Sequence, residues 1–206
     1  MFSTFLDQWK LVLKKHTFRI EIVATLISLY ALMVFSHSFF VFVELRKGLI
    51  LNDILLRILP SINVSWIIFP LIYVSILTAL CYLSFYPYLL LRSLQAYFLL
   101  TVFRITLIYF IPLDPPSGFV LLRDPLVDYF IYDQNIVTKD LFFSGHTSSL
   151  FLFYLVVKKK EIKMMLLLST LLVGAFILIQ HVHYTIDVLA APFFSWFAWK
   201  CVLKLM

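Results

Sequence analysis

His183 and Asp187 stand four residues apart, a spacing that puts both side chains on one face of a helix. There the carboxylate can accept a hydrogen bond from one ring nitrogen, fix the tautomer and leave the other nitrogen as a nucleophile. A second histidine sits in Ser144-Gly145-His146-Thr147, where it is free to act as proton donor and acceptor. Gly145 would let backbone approach a phosphate. Ser144 and Thr147 could donate to an anion at a helix N-terminus, whose dipole favours negative charge, or simply cap that helix. These are the parts of a phosphoryl-transfer site, which must neutralise charge, align a nucleophile and protonate a leaving oxygen.

Two arginines are candidate phosphate ligands. Arg104 falls inside an apolar run, where an unpaired charge is costly. It either aims its guanidinium at a substrate phosphate or pairs with an acid or helix carbonyls. Arg123 lies in Leu122-Arg123-Asp124-Pro125 and is either a second phosphate ligand or a locally paired loop residue. His181 reads as a supporting or interfacial residue. No Glu or Cys stands at ligand spacing from His181 and His183, so neither a metal nor another cofactor is expected.

The elements that must carry these residues are membrane helices. The chain has 206 residues, of which 63% are hydrophobic, 18% aromatic and 14% charged. That is more apolar surface than a soluble domain of this size can bury. An all-α polytopic bundle follows, with about six spans near residues 20–43, 65–85, 93–113, 141–157, 164–180 and 184–202, each close to the ~20 residues that cross a bilayer. Pro60 and Pro70 predict a helix end or kink. Apolar runs recur to the C-terminus with no polar domain between them, so residues 1–206 read as one integral-membrane domain. Residues 1–17 alternate Phe2, Phe5, Leu6, Trp9 and Leu13 with Asp7, Lys10, Lys14 and Lys15. This is the pattern of an amphipathic helix on a membrane surface, not of a cleavable signal peptide.

The net charge of +6 does not point to nucleic acid, because the lysines flank apolar runs, where they orient the chain. Lys10, Lys14, Lys15, Arg19, Arg92, Lys158, Lys159, Lys160, Lys163, Lys200 and Lys204 fall on one side, against Arg46, Lys47, Arg57, Arg123 and Lys139 on the other, where Asp114, Asp124, Asp128, Asp133 and Asp140 also lie. Both termini are therefore expected in the cytosol, with His146 and His183 opening to the extracytoplasmic face. Cys81 and Cys201 lie in apolar runs and read as small core residues.

Residues 141–147, Leu-Phe-Phe-Ser-Gly-His-Thr, and residues 181–188, His-Val-His-Tyr-Thr-Ile-Asp-Val, resemble two motifs of the sphingomyelin synthase family, within the type 2 phosphatidic acid phosphatase superfamily. Arg104-Ile105-Thr106 followed by Pro112 and Pro115 is similar to a third. The likeness spans residues 95–200. It implies a catalytic triad of His146, His183 and Asp187, and a phospho-headgroup that passes from a glycerophospholipid to a lipid alcohol through a phosphohistidine. The phosphatase branch has an arginine where this chain has Ile177, and usually a proline where it has Phe143. Both departures favour headgroup transfer over hydrolysis of a phosphomonoester. Hydrolysis of phosphatidic-acid-like lipids, with water as acceptor, is the alternative, and a catalytically silent scaffold or transporter is a third reading. In each enzymatic reading the partners are membrane lipids, and the likeness suggests a bacterial inner membrane or its equivalent.

Overall fold

The structure, a computed structural model, describes residues 5–122, 124, 129–130 and 136–204. All their regular elements are helices: α1 (Phe5–Leu13), α2 (His16–Leu45), α3 (Ile54–Ile58), α4 (Ser65–Ser84), α5 (Pro87–Phe110), α6 (Gly145–Val156), α7 (Lys160–Ile179) and α8 (Thr185–Lys204). By length and composition α2, α4, α5, α7 and α8 can each cross a membrane. The protein is thus an integral membrane protein with a polytopic helical bundle.

Three expectations are corrected in detail. The expected span at 141–157 is helical only over the 12 residues Gly145–Val156. At ~1.5 Å per residue that helix is ~18 Å long, short of a ~30 Å hydrocarbon core. The reason is local: Leu141, Phe143 and Ser144 are buried but not helical, and non-helical backbone is tolerated inside such a bundle only where protein satisfies its polar groups. Of the end or kink expected at Pro70, the end does not occur, since α4 runs through it. It stands in the second turn, where the lost N–H forfeits a single bond to the Trp66 carbonyl. The surface helix ends at Leu13, and His16 and Thr17 already belong to α2. α1 is pinned to the bundle, since Trp9 Nε1 donates to the Ser84 carbonyl at 2.8 Å and Val12 packs with Phe18 and Leu91.

The short α6 is the centre of the bundle, packed against α4, α5, α7 and α8. Small residues let the helices approach closely: Ala79, Ala96, Ala191 and Ala198 are all fully buried, alongside Phe143, Leu152 and Leu166. Polar links between helices are few and paired. Ser75 Oγ donates to Ser169 Oγ at 2.8 Å, and Ser195 Oγ donates to the Ser148 carbonyl at 2.8 Å.

Loops cover the end of the bundle from which α6 and α8 start. Leu49 N–H donates to the Pro112 carbonyl at 2.9 Å, and Asp114 N–H returns a bond to the Leu49 carbonyl at 3.0 Å. Lys139 Nζ bridges Asp114, at 2.9 Å, and the Arg46 carbonyl. Asp53 caps two helices at once. Its carboxylate accepts from Leu55 and Leu56 at the start of α3, from Thr185 N–H at 2.6 Å and from Thr185 Oγ1 at 2.9 Å. A charged cap at the start of α8 suits the helix dipole.

Burial pushes the Asp53 carboxyl up, yet the bonds from Thr185, Leu56 and Leu55 together outweigh it and hold the group below its ordinary value. A depressed carboxylate stabilises the fold above the unfolded-state value of about 3.9, and that contribution is lost as pH falls through the folded-state value. Asp53→Asn should therefore lower thermal stability at pH 7 by roughly 1–2 kcal/mol, the usual worth of a cap. Melting curves of both proteins in detergent should converge as pH drops below about 4.

Candidate active site

The site assembles where α5, α6 and α8 meet beneath the loops. Ser144 is the N-cap of α6: its Oγ accepts from Thr147 N–H and donates to Thr147 Oγ1 at 3.0 Å. Both residues are buried, at 0% and 2% exposure, and they cap the helix. Ser148 and Ser149 both donate to the Gly145 carbonyl, at 3.0 and 2.8 Å, which saturates the first turn.

Arg104 reaches this turn from α5. Its Nε donates to the Phe143 carbonyl at 2.8 Å, and its Nη2 pairs with Asp140 Oδ1 at 2.5 Å. The guanidinium lies so close over Gly145 that a Cβ there would sit 2.9 Å from Cζ. Gly145 is thus required for the approach of an arginine to the backbone. A further residue holds the same segment: Glu44, at the end of α2, accepts from Thr138 N–H at 2.8 Å, Lys139 N–H at 3.2 Å and Thr138 Oγ1 at 2.7 Å.

His146 has a partner that spacing did not reveal. Its Nε2 lies 3.1 Å from Asp124 Oδ2, and Tyr73 Oη donates to Asp124 Oδ1 at 2.7 Å. His183 Nδ1 lies 3.3 Å from Asp187 Oδ2, an oxygen that also accepts from Tyr184 N–H at 3.0 Å. The expected contact is present at the long end of hydrogen-bond range, but not as two residues on one helix face: α8 begins at Thr185, so Asp187 lies in its first turn while His183 stands in the bend before it. Asp187 Oδ1 is buried with no hydrogen-bond partner among the described residues. The two histidine segments are joined directly, because Ser144 N–H donates to the Asp187 carbonyl at 3.1 Å.

A cavity of about 480 Å³ opens on this turn, with Arg104, Asp124, Asp140, Gly145 and His146 at its polar end. His183 and Asp187 do not line it; they are 2% and 0% exposed. His181 does not join either. Its Nδ1 lies 2.8 Å from the Ser117 carbonyl and its Nε2 lies 3.2 Å from the Leu59 carbonyl, so it ties two loops together. Arg123 lies outside the described residues. Ile177 is fully buried in an apolar cluster with Ile68, Ile72, Leu150 and Val173. No group of three or more His, Cys, Asp or Glu side chains suited to a metal occurs among the described residues.

Acid–histidine pairs stand at the starts of the adjoining helices α6 and α8, and a comparison with known families bears on this segment. Residues 139–204 match a family model described as PAP2 superfamily C-terminal. This match supports the type 2 phosphatidic acid phosphatase superfamily and, in general terms, lipid phosphatase or phosphotransferase activity. No curated protein matches the chain.

The contact between Arg104 and Gly145 yields a coupling test. Gly145→Ala should lower kcat/KM about tenfold or more, because Arg104 must move off the turn. In an Arg104→Ala background the same substitution should add little, and a double-mutant cycle on turnover and melting temperature measures the difference.

Proposed function

We propose that the protein is a lipid phosphotransferase that moves a phospho-headgroup from a glycerophospholipid to a lipid alcohol through a phosphohistidine. The observation that carries this reading is the junction of the two histidine segments, the Ser144–Asp187 backbone bond, beside a cavity whose polar end holds Arg104. Asp187 keeps the proton of His183 on Nδ1, which leaves Nε2 to attack phosphorus. The phosphorus–oxygen bond to the diacylglycerol then breaks, and the leaving oxygen takes a proton from His146. Asp124 stabilises His146 while it is protonated, before the first proton transfer and after the second. In the second half the acceptor hydroxyl gives its proton to His146 and displaces His183, which returns both residues to their starting state.

Charge balance supports transfer over phosphomonoester hydrolysis. Arg104 faces the cavity together with two carboxylates, Asp124 and Asp140, and the position that bears an arginine in the phosphatase branch is the buried Ile177. With His146 protonated as the proton donor, two positive groups face two negative ones, so the polar end offers a dianionic monoester no net positive charge, whereas a monoanionic diester with a cationic headgroup suits the set. The phosphatase reading keeps one argument of its own, the family match of residues 139–204. Arg104, Arg123 and the amides of Gly145 and His146 are the candidate phosphate ligands.

The deciding assay reconstitutes the purified chain with labelled phosphatidylcholine, phosphatidylethanolamine and phosphatidic acid, with and without ceramide. The expected product is a lipid alcohol carrying the donor's headgroup. Release of inorganic phosphate from phosphatidic acid, with no transferred headgroup, would replace this reading with the phosphatase. His183→Ala should abolish turnover and covalent labelling of the protein. Asp187→Asn should remain folded and be slower by about 10³-fold or more, the scale seen when a histidine loses its tautomer control.

The lysine distribution supports a site on the extracytoplasmic side of a bacterial inner membrane or its equivalent. In a background lacking Cys81 and Cys201, cysteines at Asn52 and Lys159 should react with an impermeant thiol reagent from opposite sides. Labelling of position 159 from outside intact cells overturns that orientation.

A further inference from the structure

The cavity at the site has an apolar part that the phosphoryl chemistry leaves unused. From Arg104 it follows α5 to Thr101, Leu100 and Tyr97, and from Tyr73 it follows α4 to Ile76, Leu77 and Leu80. The ends of each stretch are seven positions apart, or ~10 Å along a helix. Ser36 and Phe40 of α2 complete the lining. Among the described residues α2 packs along α5 and at most sparsely against α4, so the wall between α2 and α4 is thin. Of the cavity's lining residues Leu77 is 64% and Tyr97 37% exposed, while Phe40 and Leu100 are buried.

We infer that this groove holds a hydrocarbon chain of the phosphorylated lipid, which slides sideways out of the bilayer between α2 and α4, and that Leu80 and Tyr97 determine how much chain is enclosed. The inference rests on the phosphotransfer reading of the polar end and adds the route and the chain selectivity. The argument for the occupant is continuity. One cavity has a guanidinium and an imidazole at one end and only apolar or hydroxyl side chains at the other. A lipid presents that same sequence of groups, with phosphate at one end and methylenes along the rest. A water-soluble phosphate ester has nothing to lay along ~10 Å of apolar wall. A second apolar groove of about 500 Å³ lies between α2 and α5, lined by Phe35, Phe39, Phe42, Tyr109 and Phe110 among others. It carries none of the site's charged groups and serves as the internal comparison.

The test uses the full chain in nanodiscs and phosphatidylcholine with a diazirine midway along one acyl chain. After irradiation, peptide mapping should find label at residues 36–40, 76–80 and 97–101, several-fold above residues 35, 42 and 109–110 of the second groove. Leu80→Trp should cut that label at least fivefold and shift the turnover ratio of long-chain to short-chain donors at least tenfold toward the short. Leu171→Trp, on the exposed face of α7, should match the parent protein. If Leu80→Trp does not fold, Leu80→Ala carries the test in the opposite sense, with more label at α4 from diazirines placed deeper in the chain. Equal label in both grooves, or label unchanged by either substitution at Leu80, overturns the inference. Photolabelling needs no turnover, so the two readings fail separately. A labelled groove in a protein that forms no transferred product sustains the groove and sinks the transfer, whereas transfer with an unlabelled groove does the reverse.

Discussion

A guanidinium placed inside an apolar helix has to be neutralised, and much of this structure follows from how Arg104 is satisfied. Its position on α5 is six residues before the end of that helix at Phe110, too deep to rely on bulk water. Asp140 supplies the opposite charge and the Phe143 carbonyl takes a second donor. Both partners belong to the non-helical segment that leads into α6, so satisfying the arginine also fixes where α6 begins. That start places His146. Because Ser144 N–H holds the Asp187 carbonyl, it also fixes how the first turn of α8, with Asp187, sits against α6.

Charge is shared out in the same manner around the rest of the site. Each carboxylate there serves more than one element. Glu44 joins the end of α2 to residues 138 and 139, Asp53 joins α3 to α8, and Asp124 joins His146 to Tyr73 of α4. Removing any one of them would leave several polar donors unpaired in a region of low dielectric, which costs more than the hydrogen bonds themselves gain. The apolar body of the bundle carries few such links. It is held by close packing of alanines and aromatic rings, such as the Phe143 and Phe194 rings stacked 4.5 Å apart.

The spans and the two histidine motifs were legible in the chain because each is a local signal. Apolar runs report burial in a membrane, and the His183–Asp187 spacing reports their contact, although His183 precedes α8 and shares no helix face with Asp187. What escaped notice is what joins distant segments. Asp124 stands 22 residues from His146, Glu44 stands 94 from Thr138, and Asp53 stands 132 from Thr185. No periodicity marks such partners. Asp124 and Asp140 were visible only as members of an acidic loop, although a buried arginine and an intramembrane histidine both announced that acids were needed somewhere. The short α6 escaped for a different reason. Hydropathy counts the buried Leu141 and Phe143 as span, while Ser144, an evident cap, marks the true start of the helix.

The enclosure of His183 has a kinetic meaning. At 2% exposure, under loops stitched by Tyr184, Asp53 and His181, its imidazole is a gated group. A partner for it must wait until the surrounding loops part. Under the phosphotransfer reading, reaction at His183 needs this cover to shift as well as lipid to arrive from the side, and the frequency of that shift is a ceiling on its rate. In such an arrangement the lifetime of anything bonded to the imidazole is set by the mobility of the loops above it, and the stiffness of a few backbone hydrogen bonds becomes a clock.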